Sequence, residues 1–476
     1  MEHANITNTT ASRSVEPVTV IGGGLAGSEA AWQLAQRGIP VKLFEMRPEK
    51  QSPAHHSGSL AELVCSNSFK SDDPITAAGE LKRELEYLGS MLLQVARMCA
   101  VPAGGALAVD REIFARTVTE HIENHPLIDV VRREVRELPQ GRVIIATGPL
   151  SSDGIEPVLA SLVGAARLAF YDAAAPIVEA SSIDREFAFS ASRYGKGGSD
   201  DYVNCPMDRE QYDCFIAELL SARRVHSKDF ERRELFSACQ PVEEIARSGH
   251  DALRFGPLKP VGLTDPRTGD RPWAVVQLRA ENLSCTAYNL VGFQTNLAFS
   301  EQQRVFRLIP GLEHAEFARL GVMHRNTFID SPRLLDASLR LRSLPRVRVA
   351  GQLAGTEGYL EAVGSGLLAG LGAAAEVIGV DTFVMPELSV FGSLMAYATN
   401  PSTSDYQPMH VNWGIIQPLP QRVKGKRDRY AAYAQRALQA TGEAIADHPL
   451  AFCSKIASRA LDQNSPEARS SNPGSR

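Results

Sequence analysis

The sequence predicts an α/β protein: a Rossmann-like, doubly wound nucleotide-binding domain interrupted by an inserted α+β domain. Three stretches carry that expectation. Residues 18–45, VTVIGGGLAGSEAAWQLAQRGIPVKLFE, read as strand, glycine turn, helix and second strand. Residues 142–148, RVIIATG, read as another buried strand. Residues 347–370 return to a short strand and a glycine-rich helix after a long turn-rich stretch that breaks the pattern.

In the first stretch Val18, Val20 and Ile21 make a β-branched run, and Gly22, Gly24 and Gly27 then stand at G-x-G-x-x-G spacing. The first glycine permits a tight turn and the second lets backbone approach a pyrophosphate. The third lets the helix pack closely on the strand, with its N-terminus facing the phosphates. Gly22, Gly23, Gly24, Leu25, Ala26 and Gly27 therefore form the candidate dinucleotide cradle. The helix carries Ala30, Leu34 and Ala35 on an apolar side and stops at Gly38, after which Val41 to Phe44 form a strand closed by Glu45. An acid about 20 residues beyond the glycines accepts the ribose hydroxyls of an adenosine. FAD and NAD share this fingerprint. The strand ending in Ala146, Thr147 and Gly148 is similar to one that passes near the adenosine in two-dinucleotide flavoproteins, which favours FAD.

A chain of 476 residues has length for about three ordinary domains, or for one interrupted domain plus an insertion. Its hydrophobic content of 44% and charged content of 22% are those of a soluble globular protein. A net charge of −5 argues against wholesale coating of nucleic acid but leaves room for a local basic face, and does not decide partners. The seven cysteines, at 65, 99, 205, 214, 239, 285 and 453, show neither metal-ligand spacing nor a disulfide framework, as expected of a reduced, intracellular protein. Residues 1–16 have no apolar signal-like core, and no later run reaches the roughly 18 apolar residues of a membrane span, so a cytoplasmic protein is expected.

Residues 1–16 and 463–476 are poor in apolar side chains and are expected to be disordered. The nucleotide-binding domain is expected over 17–179 and 325–400, the inserted domain over 180–324, and a C-terminal helical segment over 401–462. After Glu45 comes a polar loop holding Cys65. Residues 81–95, LKRELEYLGSMLLQV, read as one helix with Leu81, Leu85, Leu88 and Leu92 at helical spacing. Asp110 caps a further helix running to about Asn124. In the insertion Gln211 to Leu220 read as helix and Ala274 to Leu278 as strand. Near the end, Gly351, Gly355, Gly358, Gly364 and Gly366 sit among helix formers. Backbone at Gly351 and Gly358 could lie against a flat ligand, with a helix N-terminus near Tyr359 facing a flavin pyrimidine ring. The plainer alternative is a glycine-rich packing helix.

Several blocks resemble one family. They are GGGLAG, CSNSFKSD from Cys65, FGPLKPVGL from Phe255, AVVQLRAEN from Ala274, YNLVGFQTNLAF from Tyr288, MHRNTFIDSP from Met323, AGQLAGTEGYLEA from Ala350 and DYQPMHVNWG from Asp405. On these the chain resembles the TrmFO family, GidA-related tRNA uracil-5-methyltransferases that use folate and FAD. The likeness runs from residue 18 to about residue 435. It departs in two places. FSACQPVEE stands where the family has Glu-Gly-Cys-x-Pro-(Ile or Val)-Glu, so Ser237 and Ala238 precede Cys239, and the extension before Val18 is not a family feature.

The resemblance implies a GidA-like fold, bound FAD, 5,10-methylenetetrahydrofolate as carbon donor, NAD(P)H as reductant, and the T arm of tRNA as partner for a monomer or homodimer that makes 5-methyluridine in the T loop. The same chemistry on ribosomal RNA, or MnmG-like modification of wobble uridine, are the alternatives. Methylating C5 of uracil requires a nucleophile at C6 to activate an electron-poor ring, a base to take the C5 proton, and a hydride. The residues matching the family's thiol pair are Cys239, read as the nucleophile to C6, and Cys65, read as the second thiol beside the flavin, acting as base or protecting the site. Lys70 or Lys259 could supply the positive charge that favours a thiolate. The remaining five cysteines read as structural. Arg422, Lys424, Lys426, Arg427 and Arg429, with Arg223, Arg224 and Lys228, are candidates for RNA phosphates. The target uracil would have to be flipped out of its loop.

Overall fold

The structure, a computed structural model, describes residues 15–452 apart from 53, 165–166, 174, 199–200, 226–239, 322 and 404–405. Cys239, Lys228, Cys453 and the expected disordered tail lie outside the described residues, as does the extension up to residue 14. Val15, expected to be disordered, packs against the main core.

Apolar, β-branched strands build a six-stranded sheet in the order Arg340–Leu341, Leu344–Val349, Val143–Ile145, Val18–Ile21, Val41–Glu45, Ile128–Arg132. All neighbours are parallel except the outermost pair, Arg340–Leu341 with Leu344–Val349. Every residue of Val18–Ile21 and Val143–Ile145 is buried, as central strands of a sheet covered on both faces must be. Followed along the chain, the parallel strands have the 3-2-1-4-5 doubly wound order, and the direction of winding reverses between Val18–Ile21 and Val143–Ile145.

Against this sheet the helix Leu25–Gln36 crosses the long helix Tyr359–Ile378. Small residues set how close they come: a Cβ on Gly370 would lie 2.9 Å from the Ala30 carbonyl oxygen, and one on Gly366 would lie 2.6 Å from Ala26 Cα. Contrary to the expectation that no run is long enough, Tyr359–Ile378 has the length and hydropathy of a membrane span, but 83% of its apolar window is buried inside the protein.

The inserted region is a second six-stranded, antiparallel sheet in the order Phe189–Ser190, Tyr202–Met207, Ala274–Ala280, Ala287–Leu290, Ile177–Glu179, Phe317–Arg319. Its core is separate, built on Tyr212, Phe215, Phe293 and Phe306. The sheet takes in Ile177–Glu179, just ahead of the expected start at 180, and the chain enters and leaves it through the antiparallel ribbon of Arg167–Ala173 with Met323–Ile329. Its helix Arg209–Ser221 opens with a reciprocal cap between Asp208 and Gln211.

The single helix expected over 81–95 is two, Ala77–Tyr87 and Met91–Met98. Gly89 takes a left-handed φ of 76°, and the Ser90 side chain then accepts the Leu93 N–H to start the second helix. The glycine-bearing turn after it belongs to a small sheet of Ser68–Ser71, Ala106–Val109 and Ala100–Val101. At the C-terminal end stand the helix Lys426–Asp447 and the turn of helix Pro449–Phe452.

Candidate active site

A cavity of about 460 Å³ lies where the winding reverses, the position at which doubly wound sheets bind ligands. Its floor is the glycine turn. Gly22 has φ 102° and abuts the Ala146–Thr147 backbone, so no side chain fits there. Gly27 lies against the Gly22 carbonyl oxygen, which fixes the start of the helix on the strand. Gly24 differs from both: it lines the cavity, and a Cβ there would meet no protein atom within 4 Å. Leu25 and Ala26 line the cavity beside it, whereas Gly23 sits just behind, a Cβ there falling 2.9 Å from Glu45.

Glu45 closes its strand at the cavity wall and is 5% exposed. Its Oε2 accepts the Gly23 N–H at 2.9 Å and an Arg47 guanidinium N–H at 3.2 Å; its Oε1 accepts the Arg47 backbone N–H and Nε–H at 3.0 and 2.9 Å. Burial opposes ionisation, yet the bonds from Arg47 outweigh it and hold the carboxyl below the usual glutamate range. A carboxylate has about four acceptor positions, and all are engaged, so a ribose hydroxyl is accepted only as Arg47 gives way. Arg47 also pairs with Glu62 at 3.0 Å. Beside them His55 is pushed down to about 4 by burial and then by the Arg47 charge. Arg47, His55 and Glu62 were not legible in the sequence, since no spacing marks them.

The other end of the cavity is formed by Gly351, Gly358 and the first turn of the helix Tyr359–Ile378. The Tyr359 hydroxyl oxygen accepts the Cys65 N–H at 2.9 Å and the Ser66 N–H at 3.2 Å, which pins the Cys65 loop to that helix end. Cys65 lines the cavity. The structure thus brings the cradle, Glu45, Gly351, Gly358 and Cys65 together around one space, while Cys239 lies outside the described residues.

Lys70 also lines the cavity, but its ammonium is paired with the buried Glu361 at 3.0 Å; Lys259 is exposed and forms no part of the wall. Two cations that the sequence did not single out are bonded to the thiol loop. Arg319 Nη2 donates to the Cys65 carbonyl at 3.1 Å, and Arg111 donates to the Leu63 carbonyl while pairing with Glu281 at 2.8 Å. Of the basic candidates for RNA, Lys426, Arg427 and Arg429 occupy the first turn of Lys426–Asp447, and Arg224 is tied to Glu244.

The residues present fit FAD. Gly24 leaves its backbone open to a pyrophosphate, an acid stands at the ribose position, and a helix N-terminus faces the far end, where a flavin ring carbonyl would gain from its dipole.

The model of the family described as Glucose inhibited division protein A matches residues 17–381. Two relatives bear the name methylenetetrahydrofolate–tRNA-(uracil-5-)-methyltransferase TrmFO. That of Geobacter sulfurreducens is 56% identical over 422 residues, covering 88% of this chain and 97% of its own length. That of Acetivibrio thermocellus is 53% identical over 435 residues, 91% of this chain and all of the relative. In fold, the structure of Aquifex aeolicus GidA matches with a TM-score of 0.66 at 16% identity, over 94% of this chain and 76% of that one. Fold, cradle and cavity together define the class, a GidA-fold flavoprotein with a thiol at the edge of its cofactor cavity. Within that class, the chain belongs to the TrmFO family.

Proposed function

We propose that the protein is a flavin-dependent methyltransferase that places a methyl group on C5 of a tRNA uracil, with the carbon from methylenetetrahydrofolate, the T-loop uridine as target and NAD(P)H as reductant. The observation that carries this reading is the single cavity joining the glycine cradle to Cys65. When bound there, FAD supplies the hydride chemistry that completes the methyl group.

The chain's own residues do the rest. Gly24 and the helix Leu25–Gln36 hold the pyrophosphate, and Glu45 the ribose. Backbone at Gly351 and Gly358 would hold the flavin, and Tyr359 fixes the Cys65 loop on the same cavity. The Cys239 thiolate adds to C6 of the flipped uracil and raises electron density at C5. Once C5 has bonded to the donated carbon, Cys65 takes the C5 proton, which expels that carbon's carrier and leaves an exocyclic methylene; hydride addition to the methylene then expels the Cys239 thiolate from C6 and restores the ring. The basic first turn of Lys426–Asp447 engages RNA phosphates. The enzyme acts in the cytoplasm as a monomer or homodimer.

Purified protein incubated with unmodified tRNA, NADPH and methylenetetrahydrofolate labelled in its methylene carbon tests the reading. Label is expected in 5-methyluridine of the T loop. Label elsewhere in the tRNA, or NADPH oxidation that needs neither folate nor RNA, would discard it.

A further inference from the structure

We propose that Arg319 and Arg111 are positioning residues that hold Cys65 as a thiolate, so that the inserted sheet completes the thiol site of the nucleotide-binding domain. The inference rests on the reading of Cys65 as a reacting thiol and adds what makes it reactive.

Three guanidiniums meet where the inserted sheet touches the Cys65 loop: Arg111 from the helix Arg111–Glu123, Arg279 at the end of Ala274–Ala280, and Arg319 at the end of Phe317–Arg319. Among the described residues one carboxylate, Glu281, faces them and pairs with Arg111 at 2.8 Å, its Oε1 buried without a hydrogen-bond partner. Arg279 is bonded through Nε to Asn67 Oδ1 at 2.9 Å, a neutral partner. Arg319 spends one N–H on the Cys65 carbonyl, and its Nε is buried without a partner. Buried cations in excess over anions are costly, and the cheapest relief is a second anion among them.

Cys65 is the group placed to be that anion. Its backbone is held on one side by Arg319 and on the other by Tyr359, and a negative charge on it favours the charged forms of both Arg111 and Arg319. Burial, and then the neighbouring Arg111, push Arg319 below the ordinary arginine value. Apart from the Glu357 carboxyl, to which Gln352 donates, the other ionisable groups on this wall do not oppose the effect. Burial pushes the Tyr359 hydroxyl up and keeps it neutral, Lys70 and Glu361 neutralise each other, and burial together with the Lys70 charge pushes His410 down and leaves it uncharged. A thiolate beside guanidiniums has a depressed pKa.

The test is the pH profile of Cys65 alkylation by iodoacetamide in the FAD-loaded enzyme, followed on the Cys65 peptide by mass spectrometry. In Arg319→Gln the profile moves to higher pH, and the rate at neutral pH falls about tenfold for a shift of one unit. Arg319→Lys, which keeps the charge, stays near the parent. Glu281→Gln, which removes the competing anion, moves the profile to lower pH. An unchanged profile in Arg319→Gln, equal shifts in the Lys and Gln variants, or a shift to higher pH in Glu281→Gln would each overturn the proposal. Should the profiles behave as stated while Cys65→Ala still methylates tRNA, the electrostatic assignment stands and the catalytic reading of Cys65 falls.

Discussion

Gly24 and Gly27 belong to one motif, yet alanine at each is expected to fail in a different way. A methyl group at Gly24 meets no protein atom but projects into the cavity, where it would displace a pyrophosphate. At Gly27 it collides with the Gly22 carbonyl. Gly24→Ala should therefore leave the unfolding midpoint of the flavin-free protein unchanged and weaken FAD binding at least about tenfold, as read by quenching of flavin fluorescence. Gly27→Ala should lower the midpoint itself. Equal losses of stability in the two variants would remove the cradle assignment. A third residue tests the chemistry: Cys239→Ala should abolish methylation and leave the protein yellow. The glycines were legible because their role is fixed by backbone geometry within a few neighbouring residues. Arg111 and Arg319 were not, because only the fold carries them to the Cys65 loop from places remote in the chain.

Elements obey the same division. The strand, turn, helix and strand from Val18 to Glu45 could be read in order, since each is specified by its own periodicity and punctuation. The stretch from Leu81 to Val95 could not, because its leucines stay in helical phase across Gly89 and hide the break. The signal was present in the Gly89-Ser90 pair, which is the chemistry of one helix ending and another starting. The small sheet around Ala106–Val109 was missed because its strands, one only two residues long, are too short for a period-2 pattern to register. The glycine-rich helix supported two readings, and the structure divides them: Gly351 and Gly358 face the cavity, while Gly366 and Gly370 let Tyr359–Ile378 approach Leu25–Gln36. Because the close packing of one helix on the other also holds its N-terminus at the cavity, Gly366→Ala should cost about 1–3 kcal/mol in urea unfolding, the usual range for overpacking, and weaken FAD as well. Stability lost with FAD affinity intact would show that the crossing does not position the site.

At the scale of the whole molecule, buried carboxylates brace helices that are far apart in sequence. Glu29, on the helix Leu25–Gln36, accepts the Ser90 hydroxyl at 2.9 Å and the Leu92 N–H at 3.0 Å, and so caps Met91–Met98. Glu84, on Ala77–Tyr87, accepts the Val390 and Phe391 N–H groups at 2.6 and 2.9 Å and caps Val390–Thr399. Burial pushes Glu84 up to about 8 against the pull of those two bonds, and pushes Glu80, one turn away, up to about 7. A carboxyl whose pKa is higher in the folded protein than in the unfolded chain keeps a proton that the unfolded chain has already released. Between the ordinary glutamate range and about 8, the folded state thus binds more protons, and stability must fall as pH rises through that window. Glu45 has the opposite sign and adds stability only above the range in which unfolded glutamates ionise, so it does not mask the trend near neutrality. The urea midpoint should accordingly drop between about pH 6.5 and pH 8, above the range in which His55 and below the range in which Lys82, both pushed down by burial, add stability with rising pH. In Glu84→Gln, which has no proton to lose, the drop across that window should be shallower than in the parent. A midpoint that rises with pH in the parent, or an identical slope in the variant, would show that Glu84 is ionised throughout and braces the helices as an anion.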